Sequence, residues 1–200
     1  MQLRIHRFIP YTNAEGPGKR ACVWVQGCPI HCKGCGVPWT WSFKGGTLVS
    51  IDDVFDWIME SKATHDIEGV TFLGGEPFEQ AEALAHLGQK IKQTKLSIMT
   101  FSGYYREQLD TMNKKGTDEL LNVTDLFIDG PFIQEQLDTS RPWVGSANQR
   151  YHFLTDTYRH LEANIEQMPN RLEISLSQEG TIQVNGMATP EQLEKLLKGL

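Results

Sequence analysis

The chain has 200 residues, 40% hydrophobic and 22% charged, with a net charge of −6; that is enough for one self-supporting core, and the acidic balance argues against nucleic acid or an anionic membrane surface as the main partner. No apolar run approaches the roughly 20 residues of a membrane span, and the opening MQLRIHRFIPYTNAEG lacks a secretory h-region, so a cytoplasmic location is expected. Four cysteines, three of them packed between positions 28 and 35, make a poor disulfide framework and read better as metal ligands in a reducing compartment.

In chain order, NAEGPGKR at 13–20 is a Gly/Pro loop. ACVWVQG reads as a short strand with Cys22, Trp24 and Gln26 on one side and Val23 and Val25 on the other. The cysteine loop follows. VSIDDVFDWIMESKA predicts a helix capped by Ser50, with Ile51, Val54, Phe55, Ile58 and Met59 on one face. GVTFLGG is a strand ending at glycines. EQAEALAHLGQKIKQ is a second helix, with Ala81, Leu84, Leu87 and Ile91 inward. KLSIMTFSGY is a strand, REQLDTMNKKG a helix ending at Gly116, DELLN a short helix, and TDLFIDGPF a strand breaking at Gly130. In the tail, RLEISLSQEGTIQVNG alternates with period two around 178–180, as a hairpin does. TPEQLEKLLKGL predicts a final helix with Thr189 as cap, and 163–170 reads as loop. Alternating strands and helices with short connections imply parallel strands and right-handed crossovers: an α/β sheet or partial barrel, in a single domain over 1–200.

The cysteine loop, VQGCPIHCKGCGVPWTW, spaces its thiols C-x3-C-x2-C. Pro29, Gly34 and Gly36 disfavour a helix and favour backbone wrapped around a bound group. Thiolates suit zinc or an iron–sulfur cluster. Zinc wants a fourth ligand, for which Cys22, His31 and His6 are available. A cuboidal 4Fe-4S cluster needs one ligand per iron, so Cys28, Cys32 and Cys35 would leave one iron open to a small molecule. Cys22, on the preceding strand, reads most simply as a small core residue. The second motif, GVTFLGGEPF, places Gly74, Gly75, Glu76 and Pro77 straight after a strand, at the sheet end where α/β ligands bind. Its glycines allow close backbone approach, and Glu76 could accept from an ammonium group; a plain turn with a solvated glutamate is the simpler alternative.

Together these motifs resemble the radical S-adenosylmethionine (SAM) superfamily, whose C-x3-C-x2-C loop binds a 4Fe-4S cluster and whose Gly-Gly-Glu-Pro segment contacts SAM. The chain further resembles the activating proteins of the anaerobic (class III) ribonucleoside-triphosphate reductase, in NAEGPGKRACVWVQGC, KGCGVPWTW, TFSGY, DLFIDGPF, RPWVGSANQR and GTIQVNG. It departs from that family where Gly36 and Val37 follow the third cysteine and Val144 replaces an arginine.

The resemblance implies a partial parallel (βα) barrel of radical SAM type with a C-terminal hairpin and helix. It implies that SAM chelates the open iron and is cleaved reductively to a 5′-deoxyadenosyl radical, which installs a glycyl radical on the reductase. The cofactors are then one 4Fe-4S cluster and SAM. The partners are a glycyl radical enzyme and an electron donor such as flavodoxin or ferredoxin. Cluster ligands would be Cys28, Cys32 and Cys35; SAM contacts would come from Gly34, Gly36, Gly74, Gly75, Glu76, Ser102, Gly103 and Asp129. No His/Asp/Ser catalytic set is required, because the cofactor carries the reactivity. Trp39, Trp41 and Trp143 would pack the core, shield the cluster or dock the substrate. Asn148, Gln149 and Arg150 would bind a substrate loop or join a strand to its neighbours. Other readings are a radical SAM enzyme acting on another glycyl radical enzyme or on a small molecule such as a deazaguanine precursor, a zinc-stapled interaction module, and a plain electron carrier.

Overall fold

The computed structural model describes residues 1–176, 180, 182–188, 194, 195 and 198. Among the described residues, nine strands and four α-helices run β1 (Gln2–Thr12), β2 (Arg20–Val25), β3 (Thr47–Ser50), α1 (Ile51–His65), β4 (Gly69–Gly74), α2 (Ala81–Lys92), β5 (Ser97–Phe101), α3 (Arg106–Thr111), α4 (Thr117–Val123), β6 (Leu126–Asp129), β7 (Arg150–Phe153), β8 (Leu172–Leu176) and β9 (Ile182–Gly186). Seven strands form one sheet in the order β3-β1-β2-β4-β5-β6-β7. Its centre, β2-β4-β5-β6, is parallel; β1, β3 and β7 run antiparallel to their neighbours. The expected parallel α/β sheet is therefore present, flanked by antiparallel edges.

The helices form for the reasons the sequence supplies. Ser50 accepts the Asp53 N–H at the start of α1, where acidic Asp52 and Asp53 also favour the helix dipole. Ile51, Val54 and Ile58 are buried from α1, and Ala81, Leu84, Leu87 and Ile91 from α2. They meet Val23, Val25, Val70 and Phe72 of the sheet, with Phe78 edge-on to Phe127 at 5.6 Å. The opposite sheet face carries Ile9, Cys22, Trp24 and Leu73, continuing into Met99, Leu126, Ile128, Trp143, Val144 and Tyr158. The period-two split of residues 22–25 between two faces is thus observed.

One helix boundary is corrected. The helix begun by REQLDTMNKKG stops at Thr111, and Gly116, with φ +85°, caps the start of α4 instead of ending α3. Asn113 takes φ +45°, a left-handed conformation that breaks the helix before the lysines. The tail hairpin is present as antiparallel β8 and β9, while most of its expected turn lies outside the described residues. So does most of the expected final helix, its Thr189 cap included. Residues 163–170 are loop with one 3₁₀ turn, Ile165–Gln167.

Candidate active site

The parallel strands deliver their carboxyl ends to one rim, and the cysteine loop leaves from there. Backbone contacts lock the rim together. Gly75 N–H donates to Val25 O at 2.8 Å and Glu76 N–H to Gly27 O at 2.9 Å. Gly27 N–H donates to Thr40 O at 2.7 Å and Cys28 N–H to Trp41 O at 3.0 Å, which closes the loop upon itself. The glycines follow from this crowding. A Cβ on Gly74, whose φ is +111°, would stand 2.6 Å from both Val25 N and O, and one on Gly75 would strike the Gly27 carbonyl. The Gln26 side chain holds the returning arm, donating to Trp39 O at 3.1 Å and Ser42 O at 2.8 Å.

Cys28 is buried at the base of the loop; Cys32 and Cys35 are half-buried, and all three are free thiols. Burial pushes the Cys28 thiol up, while the backbone amides of Ile30 and His31 pull it back toward the thiolate. Burial likewise raises Cys32, opposed first by the amide of Phe132. Val37 N–H donates to Cys35 Sγ at 3.5 Å. Each sulfur therefore faces a backbone amide, the donor type that stabilises thiolate and tunes iron–sulfur centres. Among the described residues no three His, Cys, Asp or Glu side chains converge on one ion-sized point. The donor set fits a 4Fe-4S cluster held by three thiolates.

The residues named as possible fourth ligands are engaged elsewhere. Cys22 is fully buried on the sheet, its thiol pushed well up by burial. His31 stacks on Trp41 at 4.6 Å, and His6 Nδ1 meets Gln26 Oε1 at 3.1 Å. Of the tryptophans, Trp143 is core, Trp41 covers His31, and Trp39 is 61% exposed beside the loop.

Glu76 is a strut across the rim rather than a solvated turn residue. Its side chain is buried; Oε1 accepts from Phe78 N–H at 2.9 Å and Ser102 Oγ–H at 3.0 Å, and Oε2 from Gly103 N–H at 2.8 Å. Burial pushes its carboxyl up to about 7 despite these donors. The carboxylate thereby joins the end of β4 to the end of β5, bringing Gly74, Gly75, Ser102 and Gly103 together. Gly34 (φ +76°) lies against the Gln134 side chain, and a Cβ on Gly36 would meet nothing within 4 Å, so that stretch of backbone is open to a bound group.

Asp129 is the centre of an ion-pair network. Its oxygens accept from Arg106 N–H at 2.7 Å and Arg150 Nε at 2.9 Å, and His152 Nε2 lies 3.0 Å away. Burial works to raise the carboxyl, but His152, Arg150 and the Arg106 amide outweigh it and hold it well below the usual range. Arg150 also grips Glu107 through two bonds of 3.0 and 2.8 Å. Gln149 accepts from Gly145 N–H at 2.7 Å and donates to Gly130 O at 3.1 Å, and Asn148 donates to Pro131 O at 2.8 Å. Residues 148–150 therefore join β7 to the 129–132 turn, whose Phe132 amide faces Cys32. Nothing in local spacing pointed to Phe132 or Gln134; Gly27 had a signal, a glycine between strand and first cysteine.

The fold and site define an iron–sulfur protein of α/β type. Residues 14–152 match the family described as "4Fe-4S single cluster domain". The anaerobic ribonucleoside-triphosphate reductase-activating protein of Haemophilus influenzae is 34% identical over 73% of this chain and 95% of its own length. That of Vibrio cholerae is 33% identical over 76% of this chain and 99% of its own. Among solved structures, QueE from Escherichia coli aligns with TM-score 0.43 and 22% identity over 52% of this chain and 53% of that one, a distant likeness. The chain belongs to the family of anaerobic ribonucleoside-triphosphate reductase-activating proteins.

Proposed function

We propose that this chain is a radical SAM activase that installs a glycyl radical on anaerobic ribonucleoside-triphosphate reductase. The carrying observation is the backbone lacing of Val25–Gly75 and Gly27–Glu76, which ties the root of the cysteine loop, next to Cys28, to the Gly-Gly-Glu-Pro rim. Cys28, Cys32 and Cys35 hold the 4Fe-4S cluster. When bound, cluster and SAM supply a one-electron cleavage of the sulfonium that ends in hydrogen removal from a glycine Cα.

The protein's part is placement and exclusion of water. The 74–76 backbone lines the place of the SAM amino group, with the Glu76 carboxylate holding that backbone against Ser102 and Gly103. Gly34 and Gly36 let the loop backbone approach the adenine. Asp129, through Arg106 and Arg150, fixes the strand end beside them. We read the sheet, with its parallel centre, as a partial (βα) barrel of radical SAM type, within a single domain, in a cytoplasmic protein reduced by flavodoxin or ferredoxin. Among the described residues no helix is long and apolar enough to cross a membrane.

The test is anaerobic reconstitution with iron and sulfide, followed by dithionite, SAM and the reductase. The reading expects about four irons per chain, 5′-deoxyadenosine, and a radical signal on reductase glycine that shifts with deuterated glycine. One zinc per chain and no 5′-deoxyadenosine would sink it; 5′-deoxyadenosine with no reductase radical would move the substrate elsewhere.

A further inference from the structure

Among the described residues, two buried N–H donors on the site face of the sheet have no acceptor. Arg7 and Trp24 are register partners on β1 and β2, and the Arg7 guanidinium lies over the Trp24 ring at 4.2 Å. Arg7 Nε and Trp24 Nε1 are both closed to solvent and unpartnered. Trp24 is 92% buried by its 8% exposure, so its orphaned N–H is costly unless something accepts it.

The pair sits one residue below the rim. Trp24 is level with Leu73 on β4, and the next pair up is Val25 with Gly74. Its apolar surroundings are Ile9, Cys22 and Leu73, with Val37 of the cysteine loop and Phe101 packed against them. Arg7 Nη2 already donates to the Asn185 side-chain amide oxygen at 3.0 Å, and Gly186 N–H to Glu15 Oε1 at 2.9 Å, so the β8–β9 hairpin is tied down beside the pair.

The missing partner must be an acceptor, because both orphan groups only donate. A carbonyl oxygen has two lone pairs and can take both. The function proposed above requires the protein to hold a glycine, which offers no side chain to grip. Recognition at that residue has to come through its peptide groups. On that reading, we propose that Arg7 Nε–H and Trp24 Nε1–H bind a main-chain carbonyl oxygen of the reductase segment that carries the target glycine. The Asn185 amide on the neighbouring Arg7 nitrogen is an intramolecular example of the same contact. Arg7 and Trp24 are thus positioning residues for the substrate backbone, and the hairpin carrying Asn185 is the element that yields as the segment comes in.

The probe is a synthetic peptide spanning the glycyl segment of the reductase, titrated into anaerobically reconstituted protein with SAM. W24F keeps an aromatic ring and removes the N–H; R7K keeps the charge and removes Nε–H. Each should weaken peptide binding about tenfold. A second peptide set replaces single carbonyls beside the glycine with thioamides, which accept hydrogen bonds poorly. One thioamide should weaken binding to the unmodified protein and add nothing further in W24F or R7K. A merely structural role for the two side chains would leave the losses additive. Additive losses, or peptide affinities within twofold of the parent in both variants, overturn the proposal. Production of 5′-deoxyadenosine and of the reductase radical by the parent protein is scored separately, so failure of the activase reading is distinguishable from failure of this contact.

Discussion

The Glu76 carboxylate accepts the backbone N–H of Gly103 at 2.8 Å, linking two strand ends that lie 27 residues apart in sequence. With Ser102 and Phe78 on its other oxygen, the side chain is a three-donor clamp buried from water. Replacement by glutamine turns one acceptor oxygen into a donor that faces other donors. Glu76→Gln should cost about 2 kcal/mol in urea unfolding of the cluster-free protein and should weaken SAM binding in parallel.

The same residue predicts a pH signature. Its carboxyl is raised to about 7 in the fold from an ordinary 4.5, so the native state holds more protons than the unfolded chain between those values. Its contribution to stability therefore rises as pH falls through that window, by at most about 1.4 kcal/mol per pH unit. Unfolding titrations at pH 5, 6 and 7 should show this slope, and Glu76→Gln should flatten it.

Asp129 acts in the opposite sense. Its depressed carboxyl gives stability that is full above the ordinary carboxylate range and is lost as pH falls below it. Asp129→Asn should cost about 2 kcal/mol: a buried acceptor is lost, but Arg150 is 42% exposed and retains Glu107. Circular dichroism melts at pH 7 check this.

Two glycines should separate structure from binding. Gly75→Ala pushes a Cβ into the Gly27 carbonyl and should cost about 1–3 kcal/mol, with loss of iron retention. Gly36→Ala meets nothing within 4 Å, so the melting curve of the cluster-free protein should stay unchanged. Any loss of SAM affinity in Gly36→Ala then reports contact with the cofactor.

Among the cysteines, single replacement of Cys28, Cys32 or Cys35 by alanine should abolish the stable cluster absorbance. Cys22→Ala should keep it, at a cost of about 1 kcal/mol for the lost buried volume. A Cys22→Ala protein that fails to retain iron while still folding would make Cys22 a ligand.

The sequence discloses some of this and conceals the rest for physical reasons. The cysteines, Gly-Gly-Glu-Pro and the helices α1 and α2 are local patterns. Strand β1 is hidden because its register shifts at Ile5/Arg7 and Ile9/Thr12 break the alternation that marks a strand, and Pro10 interrupts it. Strand β7 is hidden because all of its residues are only half-buried at the sheet edge. The links from Phe132 to Cys32 and from Gln134 to Gly34 join segments about 100 residues apart, which no spacing rule reaches. The pairing of Lys92 with Asp125 at 2.7 Å, a carboxylate that is 1% exposed, is long-range in the same way.

At the other end of the sheet, Arg20 is fully buried. It donates to Pro17 O, Val70 O, Thr71 Oγ1 and Ser97 Oγ, and, at 2.7 Å, to the Tyr158 hydroxyl. All of these acceptors are neutral, so every one matters to a cation removed from water. Tyr158 lies beyond residue 152, where the family match ends. The segment after β7 is therefore not a detachable appendage: a protease cut between 153 and 157 should leave two pieces that co-elute, and shortening the gene to the family boundary should strip a solvating hydroxyl from the guanidinium and yield an insoluble product.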